Sequence, residues 1–138
     1  MKPHPIAADF AAAVTGRDPR QLSAVLTETV RLRALLPGGP VESRGREDVV
    51  ARIRGWLADF DTVEVIESGA EPVADRLLIR YRFAVGHRAN RWVCTHAAVC
   101  AIVEGRLAVI DLLCSGLREV PDGHVDNETE ASGARRVG

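Results

Sequence analysis

The chain has 138 residues, of which 46% are hydrophobic and 27% charged, and its 18 basic and 19 acidic residues leave a formal net charge of −1. This length allows one domain with a sizeable core, and this composition excludes a wholly disordered chain. The balanced charge argues against a dedicated nucleic-acid binder, and no apolar run is long enough to span a membrane. Three cysteines and an N-terminus without the long apolar core of a signal peptide predict reduced thiols and a cytoplasmic protein.

The first residues are patterned for two helices. Apolar residues recur at helical spacing from Ala7 to Val14, and the pattern stops at Gly16. Asp18 followed by Pro19 combines an N-cap with proline at the first helical position, which predicts a short second helix.

A strand and a third helix follow. Apolar and basic residues alternate from Val30 to Ala34, which predicts a strand that ends at the turn Pro37-Gly38-Gly39-Pro40. Glu47 and Asp48 are suited to the first turn of the third helix because acidic groups favour a helix N-terminus. One face of this helix is expected to be apolar: Val49, Val50, Ile53, Trp56, Leu57 and Phe60.

The second half of the chain changes to the alternation typical of strands. Four strands are predicted, over residues 63–73, 77–85, 91–103 and 107–117. Three helices followed by an antiparallel meander predict an α+β fold. Residues 1–120 are the predicted domain, and residues 121–138, which contain almost nothing to bury, are predicted to be a disordered C-terminal tail.

The last two strands supply the candidate chemistry. If Glu104-Gly105 is the two-residue turn between them, Ala98 pairs with Asp111, and directly paired residues share a face. His96 and Asp111 are then predicted on one inner face, although a slip of one residue would separate them. Tyr81, at an inward position of the preceding strand, is expected to join them as a third catalytic residue.

The same reasoning about strand and helix faces predicts an apolar ligand pocket around this trio. Its expected lining is Trp92, Cys94, Val109, Leu113, Ser115, Phe10 and Trp56.

No metal site is expected. Cys94, His96 and Cys100 share a face, but they are too far apart along one strand to bind one ion together. Cys114 is predicted to point to the opposite face. All three cysteines are therefore interpreted as small buried hydrophobic residues.

Three N-terminal helices, the Gly45-Arg46-Glu47-Asp48 opening of the third helix and Glu104-Gly105-Arg106-Leu107 in the terminal meander resemble the nuclear transport factor 2-like superfamily, over residues 6 to 120 or so. The resemblance implies a cone-shaped α+β barrel, with three N-terminal helices packed on a curved, mixed, mainly antiparallel sheet and a hydrophobic pocket at its mouth. Members include ketosteroid isomerase, limonene epoxide hydrolase, SnoaL-like polyketide cyclases and non-catalytic binding or assembly domains. Many are homodimers that pair through the outer face of the sheet.

The resemblance also implies site residues. SnoaL-like cyclases use an inward Asp on the last strand and a His on the strand before it, and Asp111 and His96 resemble that pair. Tyr81 and Asp111 match the ketosteroid isomerase site loosely. Limonene epoxide hydrolase needs an Asp–Arg–Asp arrangement, and no second inward carboxylate is found at a matching place.

The function expected from these residues is a cofactor-independent acid/base isomerase or cyclase that acts on an apolar, polyketide- or steroid-like carbonyl compound. Burial disfavours the charged form of Asp111, which suits proton exchange near neutrality, and Tyr81 would stabilise a developing oxyanion. The alternatives are a non-catalytic hydrophobic-ligand-binding or dimeric assembly domain, an epoxide-opening hydrolase, and a buried His–Asp pair that only satisfies itself. The expected partners are a small hydrophobic molecule and a second copy of the chain, with neither nucleic acid nor membrane.

Overall fold

The computed structural model describes residues 1–120, so the tail predicted over 121–138 lies outside the described residues. The described part contains three helices: α1 (Pro5–Gly16), α2 (Pro19–Ala24) and α3 (Arg46–Trp56). It also contains seven strands: β1 (Leu26–Leu36), β2 (Gly39–Arg44), β3 (Thr62–Val73), β4 (Arg76–His87), β5 (Asn90–Val103), β6 (Arg106–Cys114) and β7 (Arg118–Val120). None of the three helices is long and apolar enough to cross a bilayer.

The helix signals in the sequence act as predicted at two of the helix starts. Asp18 caps α2 by accepting a hydrogen bond of 2.9 Å from the Arg20 backbone N–H, and Pro19 occupies the first helical position. Glu47 and Asp48 lie in the first turn of α3, where their charge complements the helix dipole. α3 ends at Trp56, four residues before the end of the predicted apolar face.

The end of α3 is fixed by a side chain from the end of α1. Arg17, which has a left-handed φ of 57°, donates hydrogen bonds of 2.9 and 2.8 Å to the carbonyl oxygens of Leu57 and Phe60. Carbonyls that follow a helix have no partner within it, so this guanidinium acts as a C-terminal cap. The contact holds Trp56 and Phe60 at one end of the sheet.

The strands form one curved, open sheet in the order β2-β1-β6-β5-β4-β3, and β7 pairs with β5. All neighbours are antiparallel except β1 and β6, which are parallel. The helices pack on the concave face, where the largest fully buried side chains include Tyr81, Phe10, Phe83, Leu22 and Leu26. The predicted α+β cone with a mixed, mainly antiparallel sheet is therefore confirmed.

Two strands are absent from the sequence-based prediction. β2 begins inside the Pro37-Gly38-Gly39-Pro40 segment and pairs with β1, with Pro40 opposite Leu35. Proline is tolerated there because β2 is an edge strand and its missing N–H faces no neighbour. β7 is a three-residue strand after the bend at Gly116.

The hairpin between β5 and β6 has the predicted turn but not the predicted register. Val103 pairs with Arg106 and Ile102 with Leu107, so Glu104-Gly105 is the turn. The next residue of β5, Ala101, pairs with Val109 and leaves one residue of β6 unmatched. This β-bulge shifts all later pairs by one position and exchanges the two faces of β6.

Candidate functional site

Four polar or soft side chains lie together on the concave face near the C-terminal end of β6, and the bulge turns one of them, Cys114, inward. Tyr81 pairs directly with His96 on one side, and Cys114 pairs with His96 on the other. Cys94 is two residues from His96 on β5 and shares its face. We call Tyr81, Cys94, His96 and Cys114 the inner cluster.

The polar centre of the inner cluster is a buried hydrogen bond. The Tyr81 hydroxyl lies 2.8 Å from His96 Nδ1, and the two residues are 1% and 3% exposed. Burial raises the pKa of the Tyr81 phenol well above its usual range, so the hydroxyl remains protonated. The bond fixes the orientation of the imidazole and engages Nδ1, which leaves Nε2 as its second functional atom.

Aromatic rings surround this hydrogen bond. Phe10 packs edge-to-face on Tyr81 with ring centroids 5.7 Å apart, and Phe83 and Trp56 approach His96 edge-on at 5.1 and 5.6 Å. Such arrangements are favoured between aromatic rings and restrict their motion. Phe10, which the sequence places in the pocket lining, is fully buried in the core.

The two thiols of the inner cluster are adjacent. Cys94 Sγ and Cys114 Sγ are 3.6 Å apart, and the backbone N–H of Gly116 donates to Cys114 Sγ at 3.4 Å. Gly116 has a left-handed φ of 82°, a conformation that glycine adopts without strain, and this bend turns its N–H back toward the sulfur. The Ser115 hydroxyl lies 3.9 Å from Cys94 Sγ.

These contacts shift the pKa values of the two thiols in opposite directions. A hydrogen bond from Cys94, followed by contacts with His96 and the Gly116 N–H, lowers the pKa of Cys114 below that of an ordinary thiol. The same hydrogen bond, together with burial, raises the pKa of Cys94. These contacts therefore make Cys114, which is half-buried, the more acidic thiol of the pair.

Asp111 is not part of this site. It pairs with Val99 on the convex face of the sheet, and its carboxylate lies 2.9 Å from Arg33 Nε of β1. The predicted shared face for Asp111 and His96 is therefore wrong, because the bulge moves Asp111 one position out of the assumed register. Both members of the ion pair are substantially exposed to solvent.

Three expected pocket residues are displaced by the same shift. Val109 and Leu113 share the convex face with Asp111, and Leu113 is 58% exposed. Ser115 lies past the end of β6, where its hydroxyl accepts a hydrogen bond from the Thr95 backbone N–H at 2.9 Å. Trp92 keeps its inward parity and packs on Phe60, with ring centroids 5.9 Å apart.

Cys114 is the residue that the sequence reasoning missed. It was assigned to the opposite face, but the shift that turns Asp111 outward turns Cys114 inward. From Leu107 to Cys114 both strand faces are apolar except at Asp111. The cost of burying a carboxylate was thus the available signal for the correct register.

An open groove with a volume of about 870 Å³ lies between β2 and α3. Trp56 lines the groove and also contacts His96, so it separates the groove from the inner cluster. The remaining lining consists of Leu36, Glu42, Ser43, Arg44, Asp48, Ala51, Arg52 and Gly55.

No protein-family model and no curated protein sequence matches the chain. Several solved structures match it. A hypothetical protein from Catenulispora acidiphila with a ketosteroid isomerase-like fold, in complex with trimethylamine, aligns over 81% of this chain and 85% of its own, with a TM-score of 0.63 and 16% identity.

Two further structures show the same likeness. A candidate isomerase from Bacillus subtilis aligns over 80% of this chain and 84% of its own, with a TM-score of 0.66 and 11% identity. A limonene epoxide hydrolase-like enzyme from M. tuberculosis aligns over 80% of each chain, with a TM-score of 0.56 and 16% identity. The chain therefore has the ketosteroid isomerase-like cone fold that the sequence resemblance implied. At these identities the likeness establishes the fold and leaves the activity to the site.

Proposed function

We propose that the chain binds a small, mainly apolar molecule that carries a hydrogen-bond acceptor, such as a carbonyl compound, in the groove between β2 and α3. The observation that carries this proposal is the groove itself. Its volume of about 870 Å³ lies within the range of about 300–1,000 Å³ common for ligand sites. Trp56 offers an aromatic surface on which an apolar body can pack.

Trp56 also offers the hydrogen-bond donor. Its indole Nε1 is buried and has no hydrogen-bond partner within residues 1–120. A buried donor without a partner costs about 1–3 kcal/mol. A rotation of the indole that presents Nε1 to the groove would let a ligand carbonyl oxygen accept its hydrogen bond and remove that cost.

The charges of the groove favour an uncharged ligand. Glu42 and Arg44 form an ion pair of 3.0 Å, and Arg52 Nε donates to the Ser43 hydroxyl at 3.1 Å. With Asp48, the lining carries two acidic and two basic residues, so their formal charges balance.

Tryptophan fluorescence tests this proposal, because the chain has only two tryptophans. Trp92→Phe leaves Trp56 as the single emitter, and we expect a saturable change in its emission with members of a panel of hydrophobic ketones and polycyclic phenols. Trp56→Phe, which leaves Trp92, is the matched control and should bind the same compounds at least tenfold more weakly by calorimetry. Equal affinity of the two variants would contradict the assignment.

A proton-transfer reaction is a second candidate function, favoured by the Tyr81–His96 hydrogen bond directly behind Trp56. In this version of the predicted isomerase or cyclase, His96 takes the role of base that the sequence suggested for Asp111. Once Trp56 moves aside to open the inner cluster to the groove, His96 would remove a proton next to the ligand carbonyl and return it elsewhere, with Tyr81 holding the ring in place.

Substitutions of His96 and Asp111 distinguish this candidate from simple binding. His96→Gln should abolish turnover of any substrate found in the ketone panel, whereas Asp111→Asn should retain it. Loss of turnover in Asp111→Asn with unchanged ligand affinity would contradict the role of His96. Epoxide opening is not proposed, because the buried polar residues of the described chain, Thr15 and His96, include no carboxylate.

The convex face of the sheet is proposed to pair with a second copy of the chain. Leu35 and Leu113 are neighbours on β1 and β6, and with Val99 they form an exposed apolar patch around the Arg33–Asp111 ion pair. A patch that holds both charges can be complementary to itself across a two-fold axis.

Sedimentation analysis over a range of protein concentrations tests this pairing. Leu113→Arg should raise the dimer dissociation constant at least tenfold, because it places a charge in the apolar patch. Val73→Arg introduces the same charge at an exposed apolar residue of β3 and serves as the control. A monomer at all concentrations, or equal effects of both changes, would contradict the proposal.

A further inference from the structure

Three members of the inner cluster have the spacing of metal ligands. The ligand atoms of Cys94, His96 and Cys114 all lie within 4.8 Å of one another. The two sulfurs are 3.6 Å apart, close to the roughly 3.8 Å edge of a tetrahedron around zinc with bonds of about 2.3 Å to sulfur. Cys100, on the same face of β5, is not part of the group.

The surroundings of these atoms match those of known metal ligands. Nδ1 of His96 is held by the Tyr81 hydroxyl, so Nε2 is the nitrogen available to a metal. Metal-binding histidines almost always use their second nitrogen in this way, because the contact orients the ring. The Gly116 N–H already donates to Cys114 Sγ, which stabilises the thiolate that a metal requires.

We infer that Cys94, His96 and Cys114 form a binding site for Zn²⁺, with three protein ligands and one tetrahedral position free for water or a ligand atom. Two thiolates neutralise the charge of Zn²⁺, so the complex suits a site whose buried neighbours are aromatic rings. Thiolate and imidazole are also the ligand types that zinc prefers.

Binding changes the protonation of the site and transfers no electrons. Each cysteine that carries a proton releases it to solvent when its sulfur binds the metal, so at most two protons leave the thiols for each zinc bound. With zinc bound, His96 is a ligand and not a base, so the zinc site is incompatible with the proton-transfer candidate. Zinc binding does not require a ligand in the groove.

The test uses the full chain, reduced and stripped of metal, with Co²⁺ as a spectroscopic substitute for Zn²⁺. We expect thiolate-to-cobalt charge-transfer absorption and the intense visible bands of tetrahedral Co²⁺, both removed by one equivalent of Zn²⁺. Cys114→Ala and Cys94→Ala should each lose the charge-transfer intensity in part and weaken zinc binding at least a hundredfold. Cys100→Ala is the matched control, since it removes a buried cysteine from the same strand face, and should leave both readouts unchanged.

A further variant tests the contact behind the histidine. Tyr81→Phe keeps all three ligands but removes the hydroxyl from Nδ1, and such changes typically weaken metal binding about 10–100-fold.

Weak octahedral cobalt spectra without charge-transfer absorption would overturn the proposal. So would equal zinc affinity in Cys100→Ala and Cys114→Ala, with far-ultraviolet circular dichroism confirming that both variants are folded.

Discussion

The two faces of the β5–β6 pair use the same strands for opposite purposes. On the concave face, Cys94 and His96 are each 3% exposed, Cys114 is half-buried, and their polar atoms contact specific neighbours. On the convex face, Arg33 and Asp111 form an ion pair that solvent reaches freely. The comparison shows that burial, and not the chemical type of a residue, decides whether a polar contact constrains the structure.

The largest expected effect comes from removing the ring beneath the inner cluster. Phe10→Ala should lower the free energy of unfolding by about 3–5 kcal/mol, the usual cost of deleting a buried aromatic side chain. Phe10 is fully buried against Tyr81, so it acts as core and not as pocket lining. Chemical denaturation measures the change, and a loss below about 1 kcal/mol would indicate a collapsible pocket at this position.

Removing one hydroxyl from the concave face should have a smaller effect. Tyr81→Phe leaves His96 Nδ1 without its partner, and we expect a loss of about 1–3 kcal/mol of unfolding free energy. Urea denaturation of the metal-free protein at neutral pH provides the measurement. An unchanged midpoint would show that another group or water replaces the phenol.

Alkaline pH should weaken the concave face selectively. Burial, aided by the charge of Asp111, raises the pKa of Cys100 from 9.0 to about 12. The unfolded chain therefore releases this proton first, so the stabilisation is complete below pH 9.0 and is lost as the pH rises toward about 12.

This loss has a maximum slope of about 1.4 kcal/mol per pH unit for one group. Cys100→Ala should flatten the decline by up to that amount when denaturation midpoints are compared over this range. Tyr81 contributes in the same direction above its own usual pKa of 10.0, so part of the decline should remain in the variant. A decline of equal slope in both proteins would argue against ionisation of Cys100.

The smallest effect is expected on the convex face. Asp111→Asn removes the charge opposite Arg33 but keeps an oxygen that can accept its hydrogen bond. Because the pair is exposed in the single chain and screened by salt, the melting temperature of the monomer, at protein concentrations below those of the proposed dimer, should stay within experimental error of the parent at moderate ionic strength. A loss as large as that of Tyr81→Phe in the monomer would mean that the pair is buried within a single chain.

The fold could be predicted from the sequence because the signals for its helices, strands and turns are local. Asp18-Pro19 specifies the start of α2, and Glu104-Gly105 specifies the last turn, where both residues have positive φ. Apolar and basic residues alternate in β4, which places Tyr81 on the inner face and the neighbouring Arg80 on the outer face. The cone follows from such elements once their order is known.

The candidate site was only partly predictable because it depends on register. His96, Tyr81 and Cys94 belong to strands whose faces are marked by alternation, and the structure places them inside. β6 has apolar residues on both faces, so counting from the turn assigned Asp111 and Cys114 to the wrong sides. The unmatched residue at the bulge is Ala108, which carries no glycine or proline signal. The groove beside Trp56 depends on β2, which was not predicted because it begins inside the proline-rich turn. Neither the groove nor the buried Trp56 Nε1 could therefore be expected from the sequence.

The single unmatched residue in β6 has a consequence for how such a cone can diversify. Deleting Ala108 would remove the bulge but leave the pairs from Val109 to Cys114 unchanged, because the residue lost is the one without a partner. Losing the bulge at constant length would instead slip β6 by one position, which turns Asp111 toward the interior and Cys114 toward solvent while leaving β4 and β5 in place. In a lineage built on this strand, substitutions around Ala108 that oppose the bulge would therefore exchange a thiol-lined interior for a carboxylate-lined one before any side chain in the interior had been substituted.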